Sequence, residues 1–142
     1  MKPLIIFYDG YCVLCNFWVR KLCRWDRKDR LRFTPLESSI SEKMAAETGY
    51  DLTQTDSVLI WDQQNIPAAE SAAVFKVLET LGGFWNVFFI FKIVPTALLN
   101  WTYKSVAKNR YQWFGKNDHC PLPESSFQHK FLLPIKRKSC AV

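Results

Sequence analysis

Cys12 and Cys15 stand three residues apart behind Asp9-Gly10, in the stretch YDGYCVLC. Two thiols at that spacing can hold half of a metal site, sit as inert core residues, or cycle between dithiol and disulfide. A metal needs a second ligand pair, and the nearest candidates, His119 and Cys120, are adjacent rather than spaced. No metal and no cofactor is therefore expected. The redox reading gives the two thiols unequal roles. A thiol attacks only as thiolate. A helix N-terminus stabilises that anion through its unpaired N–H groups and the positive end of the dipole. A helix beginning at Cys12 gives that thiol a lowered pKa and turns it to solvent. Cys15, one turn further in on the same side, then resolves the mixed disulfide. Asp9 either caps the turn by accepting N–H bonds or takes the Cys15 proton during resolution. A carboxylate near a thiolate raises the thiol's pKa, so Asp9 is not expected to activate Cys12.

These roles require a strand before the pair and a helix after it. KPLIIFY reads as a buried strand closed by Asp9-Gly10. From Cys12 to about Asp29 the period is helical, with a stripe of Leu14, Trp18, Leu22 and Trp25 and with Cys15, Val19 and Cys23 beside it. Arg30 to Leu36 reads as a second strand, and a helix follows from Ser39 to Gly49, with Ser39 and Glu42 as its capping box. Ser57 to Asp62 is a third strand. A short turn leads to a fourth near Ile66 to Ala68, where Pro67 marks an edge. A helix over Glu70 to Leu81 ends at Gly82-Gly83. The order β-α-β-α-β-β-α predicts an α/β fold with a mixed four-stranded sheet, the order of a thioredoxin-like core. Two further helical stretches, Phe84–Val94 and Thr96–Phe114, are separated by Pro95, and an irregular tail follows. The expected division is a core over 1–83, helices packed on it over 84–115, and an extended tail over 116–142.

Composition narrows the setting. The chain has 142 residues, 49% hydrophobic, enough for one domain with its own core. The net charge of +6 is concentrated in Arg20 to Arg32 and in Lys136-Arg137-Lys138, which read first as solvated faces. The opening residues do not resemble a secretory signal, so a cytoplasmic setting is expected, where disulfides are seldom structural. Five cysteines are an odd count, which also speaks against a disulfide-stapled framework. In Phe84 to Trp101 the longest unbroken apolar run is Val87 to Phe91, far short of a span. A buried helix pair or a helix lying on a membrane surface fits that stretch better.

Asp9-x-x-Cys12-x-x-Cys15, the later PLESS, the helix ESAAVFKVLETLGG and the segment KNRYQWFGKNDHC together resemble the DCC family of thiol-disulfide oxidoreductases. The resemblance covers about residues 4 to 120. It implies a thioredoxin-like fold and dithiol–disulfide chemistry at Cys12 and Cys15, with Asp9 as the motif's aspartate. Thioredoxins place a proline just before the third strand, opposite the dithiol. Here that stretch is Thr53-Gln54-Thr55-Asp56-Ser57, and substrate docking is expected to differ.

Other residues take plainer readings. Cys23 lies eleven residues beyond Cys12 on the same helix, ~16 Å away and out of bridging range, so it reads as a core thiol. Cys120 reads first as a packed cysteine, with the alternative of a third thiol folding back near the pair. Cys140 reads as an exposed tail thiol. Arg110, Tyr111, Trp113 and Phe114 mix charge with aromatics as single-strand binders do, but a helix end packing its rings is the simpler reading, and nucleic acid is not expected as a partner. A phosphatase of the D-x-D-G type is excluded because Phe7 stands where its nucleophile would be. The chain therefore reads as a thiol-disulfide oxidoreductase whose partner is a disulfide-bearing protein or small thiol, with peripheral membrane contact less expected. The alternative is a non-catalytic redox sensor or docking module. Neither substrate nor oligomeric state is legible.

Overall fold

Leu4–Tyr8 forms the first strand, β1, and all five of its residues are buried. A strand covered on both faces needs apolar side chains on both, and LIIFY supplies them. Leu4, Ile6 and Tyr8 enter one core cluster with Cys15, Val19, Ala73 and Val77. Ile5 and Phe7 enter another with Met44, Leu59 and Trp61. The structure, a computed structural model, describes residues 2–54, 58–64, 67–118 and 124–132.

The remaining core elements are α1 (Val13–Trp25), β2 (Leu31–Pro35), α2 (Ser39–Thr48), β3 (Leu59–Trp61), β4 (Ala68–Ala69) and α3 (Glu70–Leu81). The sheet order is β2-β1-β3-β4. β1 and β2 are parallel, in the register Leu4 to Leu31. β3 runs antiparallel to β1, and β4 antiparallel to β3. This is the expected mixed four-stranded α/β sheet, compatible with a thioredoxin-like fold. Pro67 directly precedes β4, which is indeed an edge strand.

Local chemistry sets the helix ends, with corrections to the sequence reading. The N-cap of α2 is Ser38 rather than Ser39. Ser38 is extended, and its Oγ accepts from Ser41 N at 3.3 Å. The Thr34 hydroxyl, on β2, donates to that same oxygen at 2.9 Å, which holds the cap one residue earlier than the S-x-x-E spacing suggests. Gly49 closes α2 at φ 69°, a left-handed conformation that glycine takes without strain. The buried face of α1 is Cys15, Asn16, Val19 and Cys23, whereas Trp18, placed in the apolar stripe, is 47% exposed.

Beyond α3 the expected first helix is a 3-10 helix, Gly83–Ile93. After Pro95 comes α4, Thr96–Phe114. The rings of Trp25 on α1 and Trp85 lie 4.4 Å apart, and the Tyr103 hydroxyl of α4 accepts from Val58 N at 3.1 Å. Part of the tail folds back. Ser125–Lys130 is a 3-10 helix, and Leu132 N donates to Phe33 O on β2 at 2.9 Å. Lys130 is buried, with Nζ donating to Asp26 Oδ2 at 2.7 Å and to Asp29 Oδ1 at 2.8 Å. His119, Cys120, Cys140, Lys136-Arg137-Lys138, Ile66 and Thr55-Asp56-Ser57 lie outside the described residues. No single helix among the described residues is long and apolar enough to cross a membrane.

Candidate active site

Cys12 is the N-cap of α1, with φ −75° and ψ 119°. Its Sγ takes the place that a Ser or Asp oxygen usually holds at a cap and accepts from Cys15 N at 3.2 Å. A cap acceptor is stabilised most when it is an anion, because it then meets both the N–H group and the dipole. The Cys12 pKa is lowered from 9.0 to about 7. Hydrogen bonding from the Cys15 thiol is the main cause. Burial works against it, and the Cys15 N–H and the Arg110 guanidinium help it. The Cys15 thiol moves the opposite way, raised because it donates to Cys12 and is itself buried. The two sulfurs thus divide into one poised to ionise and one that holds its proton.

Asn16 steadies the loop that delivers Cys12. Its Nδ2 donates to Gly10 O at 2.7 Å and to Cys12 O at 2.9 Å, from a buried position on α1. Asp9 Oδ1 accepts from Tyr11 N at 2.9 Å, which closes the turn before the helix. Its other oxygen is occupied by residues from the far end of the chain. Arg110 of α4 donates to Asp9 Oδ2 at 3.0 Å, and the Tyr111 hydroxyl bonds to the same oxygen. Both members of the ion pair are buried, with side-chain exposures of 9% and 10%. The guanidinium therefore offsets the carboxylate that would otherwise raise the Cys12 pKa. Cys23 is buried, and burial pushes its thiol up to about 11, in keeping with a core cysteine.

One expectation fails. Cys12 does not face solvent and is fully buried. The segment after α4 crosses it: Cys12 and Lys116 form an antiparallel bridge, and Asn117 N donates to Tyr11 O at 2.8 Å. Lys116 Nζ lies 5.6 Å from the Tyr11 ring and 5.3 Å from that of Tyr111. Among the described residues the strap is fastened by this short bridge and the two ring contacts of Lys116, a small set of exposed interactions. Asn117→Pro removes the donor, and losing roughly 0.5–1.5 kcal/mol of closure is expected to speed alkylation of Cys12 about 2- to 10-fold. An unchanged rate would mean that reagent reaches Cys12 by another route.

Sequence reasoning missed Asn16, Arg110 and Tyr111. Asn16 left a signal, a polar residue on the buried face four residues after Cys12. Arg110 and Tyr111 belong to the KNRYQWFG segment, but nothing local ties them to an aspartate 101 residues away.

Residues 6–116 match the family model described as DCC1-like thiol-disulfide oxidoreductase. The chain is 33% identical over 128 residues to the uncharacterized protein YuxK of Bacillus subtilis (strain 168), covering 90% of this chain and 93% of that protein. It is 30% identical over 122 residues to the DCC family protein At1g52590, chloroplastic, of Arabidopsis thaliana, covering 85% and 70%. No solved structure matches.

Proposed function

Because the chain belongs to the DCC1-like thiol-disulfide oxidoreductase family, we propose that it exchanges disulfides through Cys12 and Cys15. The observation that carries this reading is the Cys12 sulfur accepting the Cys15 N–H at the start of α1. The Cys12 thiolate attacks one sulfur of the substrate disulfide, forms a mixed disulfide and releases the other sulfur as a thiolate. Cys15 then loses its proton and attacks Cys12 Sγ. The Cys12–Cys15 disulfide forms, and the second substrate thiolate leaves. Two electrons pass from the dithiol to the substrate.

Once Cys12 is consumed in the mixed disulfide, its anion no longer holds the Cys15 proton, and the cause that raised the Cys15 pKa first is removed. Asp9, engaged by Arg110 and Tyr111, acts here as a positioning residue that ties the Asp9–Tyr11 turn to α4. The partner is a protein or small molecule bearing a disulfide, in a reducing compartment such as the cytoplasm. A second reading, a redox sensor, draws on the burial of Cys12 under the strap. Repeated turnover with a disulfide substrate separates the two, because a sensor reacts once.

The pH dependence of alkylation tests the thiol assignment. Cys12 is expected to react with iodoacetamide with a midpoint near 7 rather than 9. Its pKa is lowered, so the reactive form accumulates above pH 7 and is lost as pH falls through 7. A midpoint near 9 would remove the basis for calling Cys12 the nucleophile.

A further inference from the structure

We propose that the outer face of the 3-10 helix Gly83–Ile93 seats on an anionic lipid bilayer surface. A 3-10 helix has three residues per turn, so positions three apart stack in a straight row. Phe84, Val87, Ile90 and Ile93 have that spacing, and all four are exposed, Phe84 at 80% and Ile93 at 83%. The next row, Trp85, Phe88 and Phe91, is stacked ring on ring and anchored on Trp25. The 3-10 form thus separates a fully solvent-facing row from one whose Trp85 and Phe88 are half-buried and whose Phe91, at 48% exposure, extends the apolar surface.

Charge decides the occupant. From Thr80 to Asn117 there is no Asp or Glu, while Lys92, Lys104, Lys108, Arg110 and Lys116 fall in that interval. Arg110 is spent on Asp9 and Lys104 meets Glu70 at 3.2 Å. Lys92, exposed, precedes Ile93 at the end of the helix on the adjoining row, with its Nζ 4.5 Å from the Phe89 ring and 5.9 Å from that of Phe75. At the other end, Arg24, Asp26, Arg27 and Lys28 of the α1–β2 region share a surface cleft of about 400 Å³ with Phe84 and Trp85; Asp26 is engaged by Lys130 and Arg24 by Glu124 at 3.5 Å, so Arg27 and Lys28 supply the positive charge there. Apolar side chains on an acid-free segment, with cations near both ends, match acyl chains beneath negative headgroups. The segment lies on such a surface rather than spanning it by itself, because eleven residues of 3-10 helix reach only ~22 Å against a hydrocarbon core of ~30 Å.

The full chain is tested with vesicles of phosphatidylcholine alone and of phosphatidylcholine mixed with phosphatidylserine, by co-sedimentation and tryptophan fluorescence. Binding is expected to be about tenfold stronger to the anionic vesicles and to weaken with salt. The pair Val87→Glu and Ile90→Glu, on exposed positions, is expected to abolish binding while keeping the circular dichroism of the parent. The pair Arg27→Glu and Lys28→Glu is expected to weaken binding without touching the apolar row. The proposal is overturned if the parent stays in the supernatant with anionic vesicles, or if both vesicle types bind it equally. It is also overturned if sedimentation velocity shows a homodimer that Val87→Glu and Ile90→Glu dissociates, since a second copy would then own this face.

Discussion

Arg110→Met is expected to destabilise the protein by about 3–5 kcal/mol, because it leaves the Asp9 carboxylate buried without its cation. Against a total of roughly 5–15 kcal/mol, that loss is large. It reads out as a lower urea midpoint at unchanged m-value. The same substitution removes a cation that lowers the Cys12 pKa and leaves a carboxylate that raises it. The alkylation midpoint therefore moves from about 7 towards 9. Adding Asp9→Asn removes the stranded charge and keeps an oxygen for Tyr11 N. The double variant is expected to regain most of the stability and to bring the midpoint part of the way back. Loss of stability with no shift in the midpoint would mean that Arg110 only holds α4 to the core and does not reach the chemistry.

The second large effect lies at the folded-back tail. Lys130 is buried between Asp26 and Asp29, and it joins Ser125–Lys130 to the turn that connects α1 with β2. Lys130→Met strands the Asp26 carboxylate. That group also accepts from Arg30 N and Leu31 N, each at 3.0 Å, so the cost falls at the low end, about 3 kcal/mol. For a chain of this size the melting temperature is expected to drop by roughly 10 °C. Acid sensitivity changes as well. The Asp29 pKa is lowered from 3.8 to about 2, with the hydrogen bond from Lys130 the main cause. A depressed carboxylate contributes stability above its unfolded pKa and loses it as pH falls through the folded one. The parent is thus expected to lose stability between about pH 4 and pH 2, and the variant to lose less of it there. An unaltered melting temperature would show that the tail does not brace the core.

What the sequence disclosed and what it hid follow the range of the interactions. β1, the four-stranded α/β order, the glycine stops and the helix beginning behind Cys12 all rest on residues within one turn or one strand of each other. They were readable as periods and caps. The cover over Cys12 was not, because Lys116 and Asn117 reach it from beyond α4 and carry no mark of that destination. The same holds for Asp9 with Arg110 and for Asp26 with Lys130, each pair about a hundred residues apart. The geometry of Gly83–Ile93 was half visible. Its apolar content predicted a helix, but with apolar residues at nearly every position from Phe84 to Ile93 no period marked it as 3-10 rather than α. Ser38 displaced Ser39 as the α2 cap because Thr34, on a neighbouring strand, engages its hydroxyl.

The central claim is that Cys12 attacks and Cys15 resolves. The most direct test incubates the reduced protein and its Cys15→Ser variant with a small disulfide at neutral pH and reads the products by intact mass and peptide mapping. The variant is expected to carry one stable adduct, on Cys12. The parent is expected to end with a Cys12–Cys15 disulfide and no adduct, having released two thiols per disulfide consumed. No adduct on Cys12 in the variant, or an adduct retained equally by the parent, would contradict the account.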